Sequence, residues 1–259
     1  MNLDGKLHIA PIVPEPKNVL DVATGTGVWA VEFAQENPGC AVVGTDLSPI
    51  QPSYAPPNVS FEIMDAEDEW TFTVKFDLVH LRAIVSCFKD TKAVFKSALE
   101  SLAPGTGYMF VRDPLMPFKF FTPPPEGTAL AEWNSCLVEA SQKVGMPWNR
   151  STNYAQWMRE VGFVDVVEKR EAAGLSPWMK GKRNKETSLL LQENICNGIE
   201  GMSMALFTRV LGWSKERLLE FLERVKNDLR NVDLHVFSEG LMVYGRRPYP
   251  DEEPCGPSS

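Results

Sequence analysis

The chain has 259 residues, of which 44% are hydrophobic and 23% charged, a composition typical of a globular domain with an ordinary apolar core. Its formal net charge of -8 argues against a protein that works by binding nucleic acid directly, because such proteins carry a basic surface. Five widely spaced cysteines, no secretion signal and no apolar run of about 18 residues predict reduced thiols, no membrane span and a cytoplasmic or nuclear location.

The first half of the chain alternates apolar runs with helical patterns. NVLDVA begins at Asn18, a glycine turn and a helix at about 28–35 follow, and CAVVGTD comes next. This succession predicts a βαβ unit with parallel strands. The same patterns predict further strands at 58–66, 75–85 and 107–113 and a helix at about 91–102. We therefore expect an α/β fold with a Rossmann-like, doubly wound, mostly parallel sheet of seven strands.

The second half has a different character. After Asp113 the sequence becomes proline-rich, and helices are predicted at about 128–144 and 153–161. A strand at 163–170 precedes about 60 residues of helical pattern, in which Ser214 is a candidate N-cap. A last strand is predicted in HVFSEGLMVYGRR, and the polar, proline-rich end of the chain is expected to be disordered.

The glycine turn is the first functional signal. Gly25, Gly27 and Ala30 have the G-x-G-x-x-G/A spacing of dinucleotide-binding turns, and Asp46 lies 19 residues beyond Gly27, where an acid that binds ribose is expected. Glycines at such a turn can also serve only a positive φ or close packing. Because strand, turn, helix, strand and acid follow in the required order, we favour an adenosine-type ligand.

Charge separates NAD from S-adenosylmethionine. A pyrophosphate favours amide N–H groups at a helix N-terminus, whereas the ammonium and sulfonium of S-adenosylmethionine require acceptors. Asp21, Asp46 and Asp65 all lie at predicted strand ends. We expect Asp21 to face the cationic end, Asp46 to bind the ribose hydroxyls and Asp65 to accept from the adenine amino group, which favours S-adenosylmethionine.

The sequence at these positions resembles the class I S-adenosylmethionine-dependent methyltransferases, and within them the fungal LaeA-like branch associated with secondary metabolism. The resemblance runs from about Gly5 to Asp113 and is carried by DVATGTGVWA, GTDLSPIQPSYAPPNVSFEIMDAEDEW and FDLVHLR. With the resemblance included, the predicted cofactor-binding residues are Asp21, Ala23, Gly25, Gly27, Asp46, Leu47, Asp65, Ala66, His80 and Leu81.

Two features depart from the family pattern. Ala23 stands where the family often has glycine, a change that we expect to be tolerated if φ stays negative. Only about 18 residues precede the first strand, where relatives usually carry a long helical segment. We therefore expect a pocket that is open, or that a second chain completes in a homo- or hetero-oligomer.

Methyl transfer is an in-line displacement, so the protein mainly aligns two reactants and excludes water. The candidate catalytic residues are His80 as a base, Arg82 as an orienting group and Asp113 at the same rim. Their structural alternatives are a hydrogen-bonded strand histidine, an ion-paired arginine and a turn-capping acid. No His, Asp or Glu grouping has the spacing of a metal site, so no metal is predicted.

The aromatic residues beyond Asp113, such as Phe118, Phe120 and Trp133, either line an apolar substrate pocket or pack a core. The first hypothesis is O-methylation of a hydrophobic secondary metabolite. A second is a LaeA-like regulator or scaffold that works with a partner chain, and a third is a cyclase that uses the pocket without methyl transfer. KGKRNK is a solvated loop or, alternatively, a nuclear signal.

These inferences define the predicted domain organisation. We predict one methyltransferase-like domain over residues 1–247, with a cofactor-binding core at 17–113. Helical insertions at about 114–160 and 171–230 are expected to form a cap, and 248–259 to form a disordered tail.

Overall fold

The computed structural model describes residues 6–252, which contain seven strands and six α-helices. In chain order these are β1 (Asn18–Val22), α1 (Val28–Glu36), β2 (Ala41–Asp46), β3 (Val59–Ile63), β4 (Leu78–Arg82), α2 (Thr91–Ser101), β5 (Tyr108–Phe120), α3 (Ala129–Lys143), α4 (Tyr154–Val161), β6 (Val164–Gly174), α5 (Lys182–Ala205), α6 (Lys215–Arg230) and β7 (Val236–Arg246). The predicted order of elements is confirmed, as is the cap at Ser214, whose side chain accepts a hydrogen bond from Arg217 N.

The seven strands form one sheet in the order β3-β2-β1-β4-β5-β7-β6. The four pairs from β3 to β5 are parallel. On the other side of β5, β7 runs antiparallel to it, since Arg247 N bonds to Gly107 O at the start of β5 and Phe121 N bonds to His235 O at its end. The prediction of an α/β fold with a seven-stranded sheet is therefore confirmed. The sheet is mixed, because its strands from β3 to β5 are parallel and β7 is antiparallel to β5.

The central strands are covered on both faces. Leu78, Val79, His80 and Leu81 of β4 are all buried, and successive residues of a strand point to opposite faces. On one face, Trp29 and other residues of α1 join a buried apolar cluster with residues of β1, β4 and β5. The centre of the sheet is therefore buried on both faces, and α1 covers one of them.

The fifth strand is longer than predicted, and Asp113 is not at its end. β5 continues to Phe120 through two prolines, Pro114 and Pro117. Proline cannot donate to a ladder, but the register with β4 ends at Arg112, so no β4 bonds are lost. Beyond that point Asn134 of α3 replaces a neighbouring strand, because its side chain accepts from Phe118 N and donates to Phe118 O.

The chain divides into two compact units. The core unit comprises residues 6–113, Thr152–Lys169 and 242–252 of the described range, and the helical unit comprises Pro114–Ser151 and Arg170–Leu241. α3, α5 and α6 of the helical unit enclose an apolar core of their own that includes Trp133 and Phe221. The single domain and its helical cap remain predictions.

Two further predictions concern the C-terminal tail and the absence of a membrane span. Of the predicted tail at 248–259, residues 253–259 lie outside the described range, and Glu252 pairs with Arg246. No helix between residues 6 and 252 has both the length and the apolar character needed to cross a membrane.

Candidate functional site

The glycine turn joins β1 to α1 over residues 23–27. Gly25 and Gly27 have φ of 59° and 76°, which is the left-handed region that glycine enters without strain. Ala23 also has a positive φ, of 54°, so the expectation of a negative φ at this position is wrong. An alanine in this region costs about 1–2 kcal/mol relative to right-handed backbone. The surrounding structure therefore holds Ala23 in a backbone conformation that is locally unfavourable.

The two glycines of the turn serve different purposes. A Cβ at Gly27 would lie 2.5 Å from the ring of Phe61 on β3, so this glycine is required for packing. A Cβ at Gly25 would meet nothing within 4 Å. The backbone of Gly25 is therefore approachable from outside, whereas that of Gly27 is covered.

Asp46 connects the end of β2 to this turn. Its Oδ2 accepts a hydrogen bond of 2.8 Å from Gly25 N, and its Oδ1 accepts one of 2.9 Å from Ser48 N. The side chain is half-buried. A carboxylate has about four acceptor positions, so Asp46 retains capacity for two ligand hydroxyls.

The neighbouring strand end supplies a second acid. Asp65 follows β3, is half-buried, and accepts from Glu67 N at 2.9 Å. Met64 N bonds to Asp46 O, which holds the two strand ends together. Between them Leu47 is 64% exposed, while Ala66 is buried. The predicted adenosine-binding acids thus lie on adjacent strand ends, beside an exposed apolar side chain.

Asp21 has a different environment from the other two acids. It is only 2% exposed, and both oxygens are occupied, because Oδ1 lies 2.6 Å from His80 Nδ1 and Oδ2 accepts from Thr24 Oγ1. Asp21 and His80 are paired residues in the parallel β1–β4 register. This placement argues against the expected contact between Asp21 and the cationic end of a cofactor.

His80 is enclosed on all sides. Its ring stacks on Trp29 with centroids 3.7 Å apart and an interplanar angle of 8°, and the ring of Phe110 lies 5.8 Å away. Burial lowers the pKa of His80, although the adjacent Asp21 carboxylate acts in the opposite direction. A neutral imidazole that donates from Nδ1 to Asp21 satisfies this site. The hydrogen-bonded strand histidine, rather than a base at the substrate, fits these contacts.

The other two candidate catalytic residues, Arg82 and Asp113, differ in their exposure to solvent. Arg82 is exposed at the end of β4. Asp113 is 1% exposed within β5, and its Oδ2 accepts a 2.7 Å hydrogen bond from Tyr154 of α4. The expected position of Asp113 at an open rim after the strand is therefore wrong, because β5 continues past it. Leu81 of the cofactor set is likewise fully buried.

Sequence reasoning missed three contributors to the site. Gln51 lies in the quoted TDLSPIQP string and bonds to the carbonyl of Gly25, Thr24 bonds to Asp21, and Phe61 packs beneath Gly27. An amide five residues after Asp46, the predicted ribose-binding acid, was the available signal for Gln51. Within residues 6–252 no group of three or more His, Cys, Asp or Glu side chains is arranged to hold a metal.

Comparison with known proteins gives a family match. A family model described as a methyltransferase domain matches residues 2–168. The chain is 31% identical over 250 residues to methyltransferase pytC of Aspergillus terreus, covering 95% of this chain and 76% of that protein. The chain belongs to the methyltransferase family. The predicted family, S-adenosylmethionine-dependent methyltransferases of fungal secondary metabolism, is confirmed.

A regulator and a solved enzyme are also similar. The secondary metabolism regulator laeA of Monascus pilosus is 30% identical over 240 residues, which cover 91% of this chain and 65% of the regulator. The structure of Haemonchus contortus phosphoethanolamine N-methyltransferase 2 has a TM-score of 0.55 at 19% identity, covering 92% of this chain and 50% of that one. This last likeness concerns the fold.

Proposed function

We propose that this chain transfers the methyl group of S-adenosylmethionine to an oxygen of a hydrophobic small molecule in fungal secondary metabolism. The observation that carries the cofactor assignment is the open backbone at Gly25, held by the half-buried carboxylate of Asp46 at 2.8 Å. A turn of this kind lets a ligand approach the main chain closely while an acid binds its ribose.

The residues of the site fit an adenosyl ligand in specific ways. Asp46 would accept from both ribose hydroxyls, and the exposed side chain of Leu47 would cover the adenine face. Asp65 would accept from the adenine amino group, and the turn from Ala23 to Gly27 would face the methionine portion. Asp21 instead orients Thr24 and His80 from the interior.

Acceleration in this site rests on alignment of the reactants. His80 and Asp113 are both about 1% exposed, so neither is available to deprotonate an acceptor hydroxyl without rearrangement. Arg82 is exposed and would orient an anionic acceptor. Proximity alone supplies large rate enhancements for a displacement, provided that the nucleophile and the methyl group are aligned and dry. A second chain, in a homo- or hetero-oligomer, would complete the pocket over the acceptor.

A second function is favoured by the similarity to the laeA regulator over 91% of this chain. In that case the chain would bind S-adenosylmethionine and act in a complex with a partner protein, in the nucleus or the cytoplasm, rather than on a metabolite.

The first test is calorimetric titration with S-adenosylhomocysteine. We expect binding by the wild-type chain, and about 10- to 100-fold weaker binding by Asp46→Ala, because a hydrogen bond to a charged group contributes about 1.5–3 kcal/mol. Glu36→Ala, which removes an exposed carboxylate from α1, is the matched control and should bind like the wild type. Equal affinity of Asp46→Ala and the control would refute the site.

The second test is turnover with candidate metabolites. Release of S-adenosylhomocysteine with a methylated product supports the proposed transferase. Conversion without that release supports a cyclase, and the absence of conversion together with a stable complex with another protein supports the regulator.

A further inference from the structure

Gln51 lies in the loop that follows β2 and is half-buried. Its side-chain amide Nε2 donates to two carbonyls at once, to Gly25 O at 2.7 Å and to Ser48 O at 2.9 Å. The first bond joins the loop to the glycine turn 26 residues earlier in the chain. One side chain thus connects the two loops that form the candidate cofactor site.

Together with Asp46, Gln51 fixes both backbone groups of Gly25. Asp46 accepts from Gly25 N and Gln51 donates to Gly25 O. The same two side chains also hold Ser48, whose N–H bonds to Asp46 and whose carbonyl accepts from Gln51. The four residues form a closed ring of hydrogen bonds, which we call the Gly25 clamp.

Gly25 depends on this clamp because nothing else packs against its open side. It has no side chain, its φ is 59°, and the space where a Cβ would point is empty to 4 Å. Glycine loses more conformational entropy than any other residue when its backbone is fixed in one conformation. The bonds that hold Gly25 before a ligand arrives therefore reduce the cost of binding.

The two halves of the clamp differ in what a ligand would do to them. In the proposed function the carboxylate of Asp46 also accepts from the ribose hydroxyls, in addition to its bonds with Gly25 and Ser48. The amide of Gln51 is directed at main-chain carbonyls and has no such second role. Its Cγ also lies 3.6 Å from the Cβ position of Gly27, against the turn.

We propose that Gln51 is a positioning residue of the cofactor site, which holds the carbonyl of Gly25 so that the turn is formed before the adenosyl ligand binds. This inference rests on the proposed function and extends it to a residue outside the predicted set. Gln51 acts through Gly25 rather than by contact with the reacting atoms.

The test uses Gln51→Met, which keeps the length of the side chain and removes the donor. We expect S-adenosylhomocysteine to bind ~10-fold more weakly in calorimetry, since the neutral hydrogen bonds to Gly25 O of the turn and to Ser48 O of the loop are both lost. Gln51→Lys should recover part of the affinity, because an ammonium at that reach donates to both carbonyls. Gln35→Met, at an exposed glutamine of α1, is the control.

The outcomes separate this inference from the proposed function. Loss in Gln51→Met with partial recovery in Gln51→Lys, at a temperature well below the melting point of each variant, supports the positioning role. If the wild-type chain binds the ligand and Gln51→Met binds it with the same affinity, the inference is overturned and the proposed function is not. This holds even if the melting temperature of Gln51→Met falls. An equal loss of affinity in Gln51→Met and Gln51→Lys would show that the donor of Gln51 does not position the turn, and would overturn the inference. If the wild-type chain does not bind S-adenosylhomocysteine, both the inference and the proposed function are wrong.

Discussion

The core unit and the helical unit use buried polar groups for different purposes. In the core unit, polar side chains near strand ends hold loops, as in the Gly25 clamp, and the Asp21–His80 pair joins two neighbouring strands. In the helical unit they hold helices and strand backbone. Trp133 Nε1 donates to Ser203 Oγ at 2.8 Å, which in turn donates to Ile199 O.

The difference teaches where a ligand site can be expected. Trp133 and Ser203 form their hydrogen bond with each other inside an apolar core, and both are fully buried, so a ligand cannot reach them. Asp46 of the core unit is half-buried and retains acceptor capacity after its two backbone bonds. Polar groups that are both held and accessible distinguish a binding site from internal packing.

The sharpest test of this comparison contrasts two glycines of one turn. Gly25→Ala should weaken S-adenosylhomocysteine binding by ~100-fold or more, because its methyl group would occupy the open approach to the backbone. A positive φ costs an alanine about 1–2 kcal/mol at either position, and Gly27→Ala should destabilise the fold further, because its Cβ would lie 2.5 Å from Phe61. Calorimetry and thermal melts separate the two effects, and wild-type affinity in Gly25→Ala would break the comparison.

The helical unit provides the converse variant. Trp133→Phe removes the donor to Ser203 and leaves a cavity in a fully buried position, which should lower the free energy of unfolding by about 1–3 kcal/mol. Urea denaturation measures the loss. S-adenosylhomocysteine affinity at 20 °C or so should stay within about 2-fold of the wild type, in keeping with a packing role. A large loss of affinity in a folded variant would contradict that role.

A smaller effect is expected from pH at the Asp21–His80 pair. Burial lowers the pKa of His80 in the folded protein, so below the unfolded value of about 6.5 the unfolded chain binds more protons. The stability from neutral His80 is thus complete above that pH and is lost as pH falls below it. His8, whose pKa burial also lowers, acts in the same direction.

His80→Asn isolates this contribution, since its amide can donate to Asp21 without titrating. We expect a shallower fall in unfolding free energy between about pH 6.5 and 5 than in the wild type, measured by urea denaturation. His8→Asn is the control for the other histidine. An unchanged slope in His80→Asn would show that His80 is not held neutral.

The smallest effect is expected at Ala23. Ala23→Gly relieves a positive φ of 54° but adds backbone freedom to the unfolded chain, so unfolding free energy should rise by no more than about 1 kcal/mol. Thermal melts with and without ligand measure it. Marked destabilisation would show that the alanine methyl group is needed for packing.

The sequence predicted the elements of the core unit well because each has a local pattern. The βαβ succession, the glycines at 25 and 27 and the acid at 46 are all within 30 residues, and the structure places them at one turn. The pairing of Asp21 with His80 joins residues 59 apart and depends on strand register. No local pattern reports that register, so Asp21 was expected to face the ligand.

The length of β5 was missed for a related reason. Prolines at 114 and 117 normally end a strand, and only the short reach of β4 and the side chain of Asn134 make them acceptable. The bond from Gln51 to Gly25 was also missed, because the position of the amide in the sequence does not show that two loops meet. Tertiary contacts, not local preference, decide all three cases.

The most direct test of the central claim is a crystal structure of the chain with S-adenosylhomocysteine bound. We expect the ribose hydroxyls within hydrogen-bond distance of Asp46 and the ligand against the open side of Gly25, with Asp21 still paired to His80. A ligand bound elsewhere, or one held through Asp21 with Asp46 uninvolved, would contradict the account.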